Sequence, residues 1–263
     1  EDLLVNADLA MYAAKNKGRN TCMFYTPELA SSARERVTLE GELKEAIKTR
    51  TLSVHYQPKC DCHDGRIRGV EALVRWRHPR FGPIPADKFI KLAEETGMIA
   101  DIDRFVISRA IEEIGELIRE GSDIVLAVNV TAGEIADPFF IRDIVRVLKD
   151  QNYPPSQLEI EITESIAMRN PEQVSSRVAG LRQLGIRFAI DDCGAGYSNL
   201  ATLARLPFDT LKLDRSLITN VANDPEQQSI LRIALGLAKE LGFESVAEGI
   251  ETLEDLKFVA DAG

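Results

Sequence analysis

Apolar and polar positions along the chain follow two different periods. Leu3, Leu4, Ala7, Ala10, Met11 and Ala14 recur at steps of three and four. That spacing predicts an amphipathic helix, with Lys15, Lys17 and Gly18 as its end. The run CMFY at 22–25 then predicts a short strand. Residues 1–26 are too few to enclose a core and read as the tail of a domain lying upstream. A polar, helix-prone stretch follows over 27–50, with Leu39, Leu43, Ala46 and Ile47 on one stripe. It predicts a linking helix that packs on what comes next.

From residue 51 to 263 the pattern alternates between strand and helix. The predicted strands are LSVHYQP (52–58), IRGVEALVRW (67–76), DIVLAVNV (123–130), LEIEIT (158–163), RFAIDD (187–192), TLKLD (210–214) and ESVAEGI (244–250). Helical patterns such as DKFIKLAEETG, FVISRAIEEIGELIREG and QSILRIALGLAKELG lie between them. Alternation of this kind predicts an α/β fold with a mainly parallel sheet. Seven strands over this length point to a TIM-like (β/α) barrel rather than an open sheet. No glycine-rich phosphate loop follows any strand, which lowers the dinucleotide and P-loop alternatives.

Bulk composition changes this picture in a few respects. The 263 residues are 44% hydrophobic and 28% charged, ordinary for a soluble domain. A formal net charge of −10 argues against duplex nucleic acid as a partner. It leaves a phosphate-bearing substrate open, because bound cations reverse the local sign of charge. The four cysteines, Cys22, Cys60, Cys62 and Cys193, lack the paired spacing of a zinc site. Reduced thiols in a cytoplasmic compartment are expected. No apolar run reaches the roughly 18 residues of a membrane span. The chain reads as a piece of a longer protein, whose remainder could carry a membrane anchor.

Strand after strand ends in an acid or an amide. Glu71, Asn129, Glu161, the pair Asp191–Asp192 and Glu248 all follow apolar strand residues, and Lys212 shares a face of TLKLD with Asp214. A single acid at a strand end is ordinarily a solvated loop residue or a helix cap. Six strands repeating the pattern suggest one rim, where barrel enzymes place their sites. Converging carboxylates need compensating charge, and an oxygen-only donor set selects Mg²⁺ or Mn²⁺ over zinc or copper. Adjacent acids at a strand end point in different directions and could touch different ions, one carboxylate bridging two metals. Lys212 could orient or deprotonate water, or neutralise charge on phosphate. These residues alone also fit an enolase-like lyase.

The same residues resemble the EAL family of cyclic di-GMP phosphodiesterases from about Val37 onward. The motifs stand in one order: YQP at 56–58, EALVRW at 71–76, HP at 78–79, FIKLAEETGMI at 89–99, VNVT at 128–131, EITES at 161–165, DDCGAGYSNL at 191–200, LPFDTLKLDRSLI at 206–218 and AEGIET at 247–252. The resemblance implies a TIM-like barrel over 51–263, two Mg²⁺ or Mn²⁺ ions, and hydrolysis of cyclic di-GMP to linear pGpG. It implies metal ligands at Glu71, Asn129, Glu161, Asp191 and Asp192, with Asp191 bridging. Lys212 would act on the attacking water, with Glu248 and Glu71 as further catalytic residues. Gln57, Leu73, Arg75, Asp214 and Glu251 would contact substrate, and Glu164 would brace the loop after Asp192. The family also implies a homodimer through the barrel domain. ADLAMYAAKNKGRN at 7–20 resembles the end of a GGDEF (diguanylate cyclase) domain, which implies an upstream GGDEF partner but no cyclase activity here.

Two departures bear on activity. The loop reads DDCGAGYS where the family has DDFGTGYS, so Cys193 and Ala195 stand beside proposed ligands. The change is either tolerated variation or a source of oxidation sensitivity at Cys193. The chain also ends at Gly263, before the family's last strand, so the barrel is expected to lack its C-terminal strand. Three readings stay open: an active phosphodiesterase, a cyclic di-GMP receptor that does not hydrolyse it, and a barrel enzyme acting on a carbon acid.

Overall fold

The computed structural model of the chain describes residues 2–16, 20–194 and 200–263. Its helices are α1 (Asp2–Asn16), α2 (Pro27–Lys48), α3 (Ala86–Thr96), α4 (Ile99–Arg119), α5 (Ala132–Ala136), α6 (Pro138–Asp150), α7 (Glu164–Arg169), α8 (Pro171–Arg182), α9 (Leu200–Leu203), α10 (Arg215–Ile218), α11 (Pro225–Leu241) and α12 (Leu253–Ala262). Its strands are β1 (Ser53–Cys60), β2 (Ile67–His78), β3 (Gly82–Ile84), β4 (Val125–Asn129), β5 (Leu158–Thr163), β6 (Arg187–Cys193), β7 (Thr210–Leu213) and β8 (Glu244–Ala247). Two compact units emerge, Glu1–Ser53 with Arg75–Ile99, and Val54–Val74 with Ala100–Gly263.

Several helices start in one way. Thr26-Pro27, Asp137-Pro138, Asn170-Pro171 and Asp224-Pro225 each place an oxygen-bearing cap before a proline at the first helical position. The cap side chain accepts a backbone N–H that has no partner inside the helix, as Asp137 does from Phe139 at 2.9 Å. Proline supplies a preset φ and gives up a donor the helix would leave unused. Gly97 and Gly242 end α3 and α11 at φ 75° each, a left-handed cap that glycine adopts without steric cost.

In the first unit, α2 lies against α1 and α3. Leu39, Leu43 and Ala46 are buried on α2, so that stripe is its apolar face, with Ile47 at its margin. Trp76 meets Phe89 edge-on, with ring centroids 5.9 Å apart. His78 is buried; its Nδ1 accepts the N–H groups of Arg80 and Phe81, and its Nε2 faces Glu42. That turn returns the chain as β3, antiparallel to the end of β2, a strand too short to leave a period in the sequence. The strand expected at Cys22–Tyr25 is absent. Among the described residues they pair with no strand, and their largely exposed backbone can be satisfied by water.

The second unit carries the sheet, in the order β1-β2-β4-β5-β6-β7-β8. From β2 onward every neighbour pair in that path is parallel. β1 joins β2 through a six-residue turn, too short for a parallel crossover. The fold is α/β, a parallel-rich curled sheet with helices around it in the manner of a TIM-like barrel. β5 and β7 are buried almost throughout, as expected of strands covered on both faces. At Gly69 a side chain would fail: a Cβ there would stand 2.7 Å from the Val125 carbonyl oxygen on β4. β8 stops at Ala247, three residues short of the expected strand, because Gly249 turns the chain at φ +75°.

A pair of buried acids away from the rim gives the stability a pH dependence. Glu134 on α5 and Asp103 on α4 are 3% and 8% exposed and interact with one another. Burial, then the Asp103 carboxylate, pushes Glu134 up to about 10; Thr131 N–H and Arg104 oppose the shift. The folded chain therefore keeps a proton that the unfolded chain releases near pH 4. This stabilisation is complete at low pH and is lost as pH rises toward 10, by at most about 1.4 kcal/mol per pH unit. Glu134→Gln keeps a donor for Asp103 and removes the titration. Urea unfolding between pH 5 and 10 should then fall less steeply with pH in the variant. Parallel curves would refute the retained proton.

Candidate active site

Each strand from β2 to β8 in the parallel path delivers a polar residue, Glu71 from the middle of β2 and the others from nearer the C-terminal ends or just past them. Registers step along the sheet: Glu71 pairs with Ala127, Asn129 with Glu161, Thr163 with Asp191, and Lys212 with Val246. The stagger brings Glu71, Asn129, Glu161, Asp191, Lys212 and Glu248 to one place. At its centre is Lys212, 1% exposed. Its Nζ lies 2.6 Å from Glu161 Oε2, 2.8 Å from Glu248 Oε1, 3.0 Å from Asp191 Oδ1 and 3.3 Å from Glu71 Oε2. Asn129 Nδ2 donates to Glu71 Oε1 at 2.7 Å, which leaves the Asn129 carbonyl oxygen as the acceptor on offer.

Asp191 and Asp192 do not diverge as neighbours on a strand should. The register between β6 and β7 shifts between Ile190 and Cys193, and Asp192 sits at φ +57°. A bulge of this kind re-aims side chains. It brings carboxylate oxygens of Asp191, Asp192 and Glu248 all within 4.8 Å of one another. The expectation that the two acids point apart is therefore corrected.

Burial and charge set the protonation of this cluster. Burial pushes Glu161 up to about 7, relieved by Lys59 and Lys212 and reinforced by Glu71 and Asp191. Burial also raises Glu248 and Asp192, the latter further through Asp191 and Asp214. For Lys212, burial would lower the ammonium, but Glu161, Glu71, Asp191 and Glu248 outweigh it and hold it well above its ordinary value. Its ammonium donates to Glu161 and Glu71.

The structure also draws in residues that the sequence reading passed over. Lys59 on β1 lies 2.6 Å from Glu161 Oε1 and 2.9 Å from Glu159 Oε1. Thr210 Oγ1 donates to Glu159 Oε2 at 2.6 Å. The signal was present: Glu159 and Glu161 share a strand face in LEIEIT, and a buried acid pair needs cations.

Asp214 lies just past β7 and caps α10, accepting the Ser216 N–H at 2.9 Å. Glu251 is exposed and 3.8 Å from Arg215. Gln57 is exposed and Leu73 half-buried, on β1 and β2. Arg75 lies on β2. Glu164 is buried and accepts the Gly194 N–H at 3.3 Å, at the start of the segment after β6. Gly194 holds φ +102°, where a Cβ would strike Leu217. Ala195 and Gly196 lie outside the described residues. Cys193 is 4% exposed, and burial raises its thiol far above its ordinary value. Reactive cysteines are exposed thiolates, so oxidation at Cys193 is disfavoured. Cys22, Cys60 and Cys62 are free and exposed. Among the described residues no helix is long and apolar enough to cross a membrane.

Comparison with known proteins agrees with this geometry. The model of the EAL domain family matches residues 40–263. The chain is 37% identical over 262 residues to the cyclic di-GMP phosphodiesterase NbdA of Pseudomonas aeruginosa, covering 99% of this chain and 34% of that protein. It is 35% identical over 261 residues to the cyclic di-GMP phosphodiesterase PdeR of Escherichia coli, covering 99% and 39%. The chain thus spans about a third of the length of these relatives. Among solved structures, the PaMucR phosphodiesterase in complex with c-di-GMP superposes with a TM-score of 0.82 at 36% identity, covering 86% of this chain and 92% of that one.

Proposed function

The chain belongs to the EAL domain family, and from that premise we propose that it hydrolyses cyclic di-GMP to linear pGpG with the help of two Mg²⁺ or Mn²⁺ ions. The observation that carries this reading is the acid cluster around Lys212. Its donors are all oxygen, the chemistry of a hard cation. Among the described residues, Glu71, Glu161, Asp191 and Glu248 face Lys212, and Glu161 also faces Lys59, as cations within bonding distance. That leaves an excess of negative charge, partly buried, which divalent cations would neutralise.

In this reading Glu71, Glu161, Asp191 and Asp192, with the Asn129 carbonyl, would hold the ions, Asp191 being the shared ligand that the family resemblance implies. The ions would supply an activated water and stabilise charge on the phosphate. Lys212, as a charged donor, orients that water or neutralises a phosphate oxygen. Glu248 holds the ammonium at 2.8 Å and would be a further catalytic residue. Gln57, Leu73, Arg75, Asp214 and Glu251 are assigned to substrate by their motifs, and Glu164 to fixing the backbone after Asp192.

A chromatographic assay with cyclic di-GMP tests the proposal. We expect pGpG with Mg²⁺ or Mn²⁺ and inhibition by Ca²⁺, whose longer and looser coordination misplaces the water. Binding of cyclic di-GMP without cleavage in any metal would replace this reading with a receptor. We further assign 51–263 to the catalytic domain, 27–50 to a helical link, and 1–26 to the end of an upstream GGDEF-like domain. The exposed Leu3, Leu4 and Met11 on α1 support the last assignment. Homodimerisation through the catalytic domain and a cytoplasmic location complete the proposal; sedimentation at micromolar concentration tests the former.

A further inference from the structure

Glu161 is 0% exposed, and its two carboxylate oxygens are divided between two lysines. Oε2 faces Lys212 and, through it, Glu71, Asp191 and Glu248. Oε1 faces the other way and holds Lys59 Nζ at 2.6 Å. Lys59 is itself anchored. Its Nζ also meets Glu159 Oε1 at 2.9 Å, while Glu159 Oε2 accepts from Thr210 Oγ1 at 2.6 Å and lies 3.7 Å from Arg187 Nε. Glu159 is 4% exposed and Thr210 2%, so water competes little for these bonds. Lys59, Glu159 and Thr210 therefore form a second layer beneath the acid cluster, drawn from β1, β5 and β7.

A carboxylate with both oxygens free can turn, or can grip a cation with two oxygens. With one oxygen in a charge-assisted bond, it keeps one orientation and offers one oxygen. Outer-layer partners of this kind set the orientation of metal ligands. We propose that Lys59 is a positioning residue: by binding Oε1 it makes Glu161 a one-oxygen ligand, and Glu159 with Thr210 sets the lysine. This inference rests on the phosphodiesterase reading above. The competing account is that Lys59 only neutralises two buried acids and matters for folding alone.

The experiment is calorimetric titration of Mn²⁺ into the full chain, its Lys59→Met and Lys59→Arg variants, and Glu159→Gln, with thermal unfolding and steady-state kinetics alongside. Lys59→Met should weaken Mn²⁺ binding by roughly 10–100-fold. In saturating Mn²⁺ its kcat should fall while KM for cyclic di-GMP stays within about twofold, because the Lys59 ammonium is bonded to Glu161 and Glu159 and not to substrate. Glu159→Gln should weaken Mn²⁺ less, since Lys59 remains. Unchanged Mn²⁺ affinity in a folded Lys59→Met, with only a lower melting temperature, would overturn the proposal. Should Lys59→Met not fold, Lys59→Arg keeps the charge and changes the bonding geometry. Weaker Mn²⁺ binding there at near-parental melting supports the proposal, and parental affinity overturns it. A parent chain that binds Mn²⁺ but never cleaves cyclic di-GMP would sink the hydrolase reading, and the Mn²⁺ comparison would still decide the role of Lys59. No Mn²⁺ binding by the parent would overturn both.

Discussion

Lys212→Met is expected to lower turnover of cyclic di-GMP by about 10³-fold and to destabilise the metal-free chain by about 3–5 kcal/mol. Both effects come from one placement. Lys212 is 1% exposed and has four carboxylates within 3.3 Å. Methionine fills the same space without charge. Glu71, Glu161, Asp191 and Glu248 would then face one another, with Lys59 left only on the far side of Glu161. Breaking a buried charge network by deleting one partner is costly, because the remaining charges stay buried. Added Mn²⁺ should return most of the lost stability, since divalent charge replaces the ammonium. It should not return turnover, because no donor then stands at the water or the phosphate. Thermal unfolding with and without Mn²⁺, together with kcat at saturating Mn²⁺, separates the two effects. Turnover within tenfold of the parent would remove Lys212 from the chemistry.

Substitutions at Asp192 separate a ligand from the backbone that presents it. The residue sits at φ +57°, a conformation that costs most side chains about 1 kcal/mol and that asparagine tolerates. Asp192→Asn should fold like the parent and lose its charge near Asp191 and Glu248. Asp192→Ala should lose both the charge and the easy turn, melting lower by an amount near that strain. Both should reduce Mn²⁺ affinity and lower activity by about 10²–10³-fold, the usual scale for one group acting in the transition state. Asp192→Gly would keep the turn and lose the acid. If Asn and Gly variants bind Mn²⁺ and turn over like the parent, Asp192 has only a conformational part.

Much of this fold was legible in the sequence. The seven strands of the main path lie where periodicity placed them, as do α3, α4 and α11, and the α2 stripe of Leu39, Leu43 and Ala46 is buried. These features depend on local spacing, which a linear string records. The exceptions have local causes of another kind. CMFY has strand composition but no partner, β3 is three residues long, and β8 ends early at a glycine with positive φ.

For the site, the sequence supplied residue types at strand ends: Glu71, Asn129, Glu161, Asp191, Asp192, Lys212 and Glu248. It determined that hard oxygen donors and one lysine were available. Only the tertiary structure decided how they meet. Sheet stagger, not sequence distance, sets Lys212 against four acids drawn from four other strands. The bulge at Asp192 turns two neighbouring acids toward one point, against the strand alternation that the sequence implied. Lys59 escaped notice because its partners, Glu159 and Glu161, lie about a hundred positions away in the chain. Charge pairing acts through space and falls off within a few ångströms, so the identity of a partner is written in the fold and not in the order of residues.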